Sequence, residues 1–141
     1  MPSKGKNRGT RPSAPSGKLR PEPSPPSDLN DETPKFCLNY LRPGFDVHAL
    51  DSDAQAAFAK TLQKLASSKW KDLITAPRHG QGSELIHKNS IKAPIPGRFQ
   101  DQEKFLTFRY KGKLPMSGVR VGDVYHILWI EPTFGQLYDH G

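Results

Sequence analysis

At 141 residues the chain has room for one compact domain and none for a second. Lys and Arg number 21 against 14 Asp and Glu, a net charge of +7, so polyanions are the favoured partners and nucleic acid leads among them. No apolar run approaches the roughly 20 residues of a membrane span, and no apolar core follows the basic N-terminus, which speaks against membrane insertion and export.

The first 34 residues are built of Pro, Ser, Gly, Lys and Arg, with Leu19 and Leu29 almost their only large apolar groups. Such a stretch buries too little surface to offset the entropy of ordering it, and is expected to be a disordered basic tail preceding a domain over 35–141. The run Phe36–Leu41, closed by Arg42-Pro43-Gly44, reads as a strand and a turn. Cys37, the single cysteine, reads as a buried thiol in that strand and fits a reducing cytoplasm. Ser52 with Gln55 forms a capping-box pattern, and Ala54, Phe58, Thr61, Leu62 and Leu65 recur at helical spacing, predicting a helix over 52–66. A second short helix carries Trp70, Leu73 and Ile74, capped by Ser67 or Ser68 and ended by Pro77.

Residues 75–100 hold Pro77, Gly80, Gly82, Pro94, Pro96 and Gly97, the composition of a long irregular connection with one short strand near 84–86. Strands follow at 105–110, 116–121 and 124–130, joined by turns at Lys111-Gly112-Lys113 and Gly122-Asp123, and a last short strand is expected at 136–138. The fold class is therefore α+β, two N-terminal helices on one face of a three- to five-stranded antiparallel sheet. Strict alternation along 124–131 puts Val124, His126, Leu128 and Ile130 on one face and Tyr125, Ile127, Trp129 and Glu131 on the other.

No Walker loop, dinucleotide-binding glycine pattern, zinc-protease helix or nucleophile elbow is present. Five histidines, His48, His79, His87, His126 and His140, are scattered without coordinating spacing, so neither a metal nor a cofactor is expected. The C-terminal strands instead gather Arg109, Lys111, Lys113, Arg120, Tyr125, His126, Tyr138 and His140. RNA cleavage needs a base for the 2′-hydroxyl proton, an acid for the leaving oxygen and cations for the charged phosphorane, and His, Tyr, Arg and Lys supply these without metal. His126 has a second reading as a core histidine, and Arg109 and Arg120 one as ordinary exposed sheet residues.

The order of elements, together with Arg120-Val-Gly-Asp123-Val-Tyr125-His126-Ile-Leu-Trp129, resembles the RelE/ParE-type toxins of bacterial toxin-antitoxin pairs. That resemblance covers residues 35–141, with His126 where the family's strand arginine is usual. It implies a metal-independent endoribonuclease that cleaves mRNA, on the ribosome in many members, and is restrained by a cognate antitoxin protein. By the same resemblance Arg120, His126, Tyr138 and His140 are catalytic candidates, and Arg109 joins them from the cationic set on the C-terminal strands. Arg78, His79, Lys111, Lys113 and Tyr125 are the nucleic-acid contacts. Two alternatives stand beside it: a non-catalytic nucleic-acid or protein-binding module of phage or mobile-element origin, and an enzyme whose site is the local cluster Arg78, His79, Glu84 and His87.

Overall fold

The computed structural model describes residues 29–76 and 82–140 of the chain. Ten elements include five strands, β1 (Lys35–Cys37), β2 (Ser83–His87), β3 (Lys104–Lys111), β4 (Leu114–Val121) and β5 (Val124–Ile130), and two α-helices, α1 (Ser52–Ala66) and α2 (Trp70–Thr75). The remaining three are single 3₁₀ turns. The strands form one sheet in the order β1-β5-β4-β3-β2.

This sheet is mixed rather than antiparallel, because β1 runs parallel to β5 with Phe36 beside Tyr125. Its direction is fixed at the β4–β5 turn, where the Lys35 N–H donates to the Asp123 carbonyl at 2.9 Å and the Lys35 ammonium meets the Asp123 carboxylate at 2.7 Å. That pairing holds the Asp123 carboxyl below its usual range and raises the Lys35 ammonium. The strand stops at Cys37, short of the expected Leu41, since Leu41 N–H turns back to Leu38 and Arg42 N–H is committed to the Leu128 carbonyl. Cys37 is partly exposed rather than buried.

Order begins before Lys35. Trp70 and Lys71, at the start of α2, donate their backbone N–H groups to the carbonyls of Glu32 and Asn30, so residues 29–34 belong to the domain. This replaces the expected serine cap of α2, whose N-cap is Lys69 with no side-chain bond. The rest of the expected tail, residues 1–28, lies outside the described residues. Helix α1 has the predicted bounds, but its cap is Asp51, whose carboxylate accepts from Ala54 N–H at 2.8 Å. Gln55 instead donates to the carbonyls of Val47 and Leu50.

Two apolar layers flank the sheet. Under the helices, Phe58, Leu65, Trp70 and Leu73 pack on Phe108, Met116, Tyr125, Ile127 and Ile130. Burial of each such side chain contributes about 1.5–3 kcal/mol. On the opposite face, Phe105, Val119, Leu128 and Trp129 are covered by Ala93 and Phe99 from the β2–β3 connection and by Leu137 and Tyr138 from the C-terminal segment. That segment is irregular, not the expected strand at 136–138. The Leu137 N–H goes to the Glu131 carboxylate and the Leu137 carbonyl accepts from Lys92.

The alternation predicted for β5 breaks at one residue. Ser117 pairs with Trp129 but Gly118 pairs with Ile127, so Leu128 is the extra residue of a β-bulge. Beyond it Trp129 joins the face of His126, while Ile130 joins the helix face with Tyr125 and Ile127. Gly118 is required opposite, because a Cβ there would stand 1.9 Å from the His126 carbonyl oxygen.

Candidate functional site

The face away from the helices carries a solvent-open cleft at the end where β5 runs out. Its volume is about 480 Å³ and its walls include Glu84, His87, Arg109, Tyr138, Asp139 and His140. Glu84 and Arg109 arrive from neighbouring antiparallel strands: Glu84 of β2 is level with Thr107 of β3, and Arg109 lies one same-face position further along. Tyr138 and His140 are brought in by the C-terminal segment, folded back over the sheet through its bond to Glu131.

The cleft groups are coupled. The Tyr138 hydroxyl donates to the Glu84 carboxylate at 3.4 Å, and burial, followed by the charges of Glu84 and Glu131, pushes its ionisation well above the usual tyrosine range. Tyr138 therefore remains a hydrogen-bond donor at any physiological pH. The His140 ring lies between Phe134 and Tyr138, stacked at 4.1 and 4.4 Å between centroids. Its Nε2 stands 3.0 Å from Oε1 of Glu131, a carboxylate with no exposed surface. At the rim, His87 contacts Glu103 at 3.4 Å, and Asp139 pairs with Lys92 at 2.5 Å.

Three of the five catalytic candidates thus meet, namely Arg109, Tyr138 and His140. Arg120 does not join them. Its guanidinium lies over the Trp70 ring, 4.4 Å from the centroid, and its Nε donates to the Gly122 carbonyl at 2.7 Å, on the helix face of the sheet. His126 is on the cleft's face but at the other end, level with Val119, whereas Arg109 is level with Pro115. Four residues of strand, about 13 Å, separate those levels. There His126 sits between Tyr40 and Phe99, its buried Nδ1 without a hydrogen-bond partner among the described residues. Burial, and then the nearby Arg98 charge, lower its ionisation below the ordinary histidine range.

Tyr125, expected to contact nucleic acid, is fully buried under the helices with its hydroxyl donating to the Leu106 carbonyl, so it cannot reach a ligand. Lys111 and Lys113 flank the β3–β4 turn at the cleft's end of the sheet, with Lys111 4.0 Å from Asp51. Arg78 and His79 lie outside the described residues.

Glu131 is absent from the sequence-based site residues, and Glu84 stands there only in the alternative cluster. Glu84 had a signal, an acidic residue inside a short strand of alternating character, but it was read only with the Arg78 to His87 cluster. Strict alternation groups Glu131 with Tyr125 and Ile127, whose face the structure shows to be the one under the helices, and the bulge reverses that grouping. Among the described residues no group of three or more His, Cys, Asp or Glu is placed to hold a metal ion, and no helix is long and apolar enough to cross a membrane. No family model, curated protein or solved structure matches the chain. The cleft has to be interpreted from its own chemistry.

Proposed function

We propose that the chain is an RNA-cleaving toxin of the RelE/ParE type, a metal-independent endoribonuclease whose site is the cleft of Glu84, Arg109, Tyr138 and His140. The observation that carries the reading is the convergence, in one solvent-open cleft, of a carboxylate, a guanidinium, a protonated phenol and an imidazole. In transesterification the 2′-hydroxyl proton passes to a base while the 2′-oxygen bonds to phosphorus. The phosphorus–O5′ bond then breaks, and an acid protonates the leaving oxygen. Glu84 is the base within this cleft, Arg109 binds the phosphorane oxygens through its fork of donors, and His140 is the acid. Tyr138 holds Glu84 in place through its hydroxyl.

Supporting the class are the order of elements, a strand, two helices and then a sheet meander, and the basic turn Lys111–Lys113 beside the cleft, suited to flanking phosphates. The partners in this reading are RNA, on the ribosome or free, and an antitoxin protein.

Purified protein incubated with RNA in excess EDTA should yield fragments ending in 2′,3′-cyclic phosphate and 5′-hydroxyl groups, and induced expression should arrest growth. Arg109→Ala should abolish both. RNA that is retained by the protein with a steep salt dependence, yet never cut with or without ribosomes, would identify the non-catalytic binding module instead.

A further inference from the structure

We infer that Glu131 is a positioning residue for His140: it fixes the ring so that Nε2 carries a hydrogen toward the protein interior and Nδ1 is the nitrogen presented to the cleft. The inference rests on the proposed cleft but concerns an arrangement that can be tested without any RNA.

Glu131 has no exposed surface, and a buried carboxylate persists only where donors reach it. Among the described residues it has two, the Leu137 N–H at 2.8 Å from Oε2 and His140 Nε2 at 3.0 Å from Oε1 and 3.3 Å from Oε2. An ionised carboxylate only accepts hydrogen bonds, so Nε2 must be the donor, whatever the state of Nδ1. The stacked rings of Phe134 and Tyr138 fix the plane of the imidazole, and His140 keeps only 9% of its side-chain surface. Nδ1 is then the one nitrogen of this ring available to exchange a proton with a bound phosphodiester: the ring protonated on both nitrogens gives its Nδ1 hydrogen to the leaving O5′ as the phosphorus–O5′ bond breaks, and is left as the neutral Nε2–H form.

The bulge at Leu128 makes this possible. Without the extra residue, the position after Ile130 would fall on the helix face, and no carboxylate would stand under the C-terminal segment. Glu131 also ties down that segment through Leu137, so one side chain both folds it over the sheet and sets the ring it carries.

The substitution that separates these two duties is Glu131→Gln. Its single carbonyl oxygen is needed by the Leu137 N–H, which leaves the amide NH₂ facing His140. Nε2 must then accept, and the ring hydrogen moves to Nδ1. Long-range ¹H–¹⁵N spectra should show neutral His140 as the Nε2–H form in the native protein and as the Nδ1–H form in Glu131→Gln. Cleavage turnover should fall about a hundredfold or more, with KM unchanged. A native His140 that is Nδ1–H or a mixture of tautomers would overturn the inference, even if the variant fails to fold. So would an unchanged tautomer in the variant, or an inverted one with full turnover. Inversion in a protein that cuts no RNA would support the arrangement while removing the nuclease reading.

Discussion

His126 and His140 lie on the same side of one sheet, His126 about 13 Å of strand from the level of the cleft's Arg109, and are built on opposite terms. At the His126 end, aromatic side chains close around the ring, Nδ1 is left without a partner among the described residues, and the cation of Arg98 repels a proton. At the His140 end, Nε2 has a buried carboxylate, the ring is clamped flat, and the wall of the cleft holds a carboxylate and a guanidinium. The same residue type is a packing element in one place and, in the proposed reaction, a proton carrier in the other. What separates them is whether the surroundings supply an acceptor for one nitrogen and open space for the second.

Substitutions at the two ends should therefore part by orders of magnitude. Arg109→Ala is expected to lower RNA cleavage about 10³-fold, the loss of a preorganised donor to the phosphorane, and Glu84→Gln about 10²-fold or more. His126→Phe and Arg120→Gln should change cleavage by no more than a few-fold, measured on the same RNA at matched salt. Arg120→Gln should instead lower stability by about 1 kcal/mol, because its cation rests on Trp70 and its Nε on the Gly122 carbonyl. Comparable activity losses at both ends would erase the distinction.

How the sequence announces these two ends is uneven. Helix α1 and strands β3 to β5 were legible because their apolar residues recur at the periods of helix and strand. Arg109, Tyr138 and His140 are legible as chemistry-bearing types on the C-terminal strands and the segment that follows them. Arg120 and Tyr125 misled, since their partners are Trp70 on α2 and Leu106 on β3, contacts that no local pattern encodes. The parallel entry of β1 was equally hidden, being set by Lys35 meeting Asp123 across 88 positions. The costliest omission was the bulge: nothing in Ile127-Leu128-Trp129 distinguishes a regular strand from one with an extra residue, and that residue moves Glu131 from one face to the other.

The cleft end also contributes to the response to alkali. Tyr110 donates its hydroxyl to the Glu131 carbonyl at 2.6 Å, and burial, then the charges of Glu131 and Asp51, push its ionisation up to about 12. Above pH 10 the unfolded chain loses this proton while the folded one keeps it, so stability falls between about pH 10 and 12, by about 2 kcal/mol from this group. Tyr110→Phe, weaker by about 1 kcal/mol at neutral pH for want of the hydrogen bond, should close on the native protein and overtake it across that interval. Denaturation curves that stay parallel from pH 9 to 12 would show that Tyr110 ionises alike in both states.

At the His126 end the dependence has the opposite sign. The folded protein resists protonating His126, so as pH falls through the ordinary histidine range the unfolded chain takes up a proton that the folded one refuses, and stability drops. His126→Phe removes both the titrating group and the unpartnered Nδ1, and places a ring of similar size between Tyr40 and Phe99. The variant should be more stable at neutral pH by about 1 kcal/mol, and by a wider margin in acid. An Nδ1 that in solution finds a hydrogen-bond partner would reverse that expectation: the substitution would then destabilise.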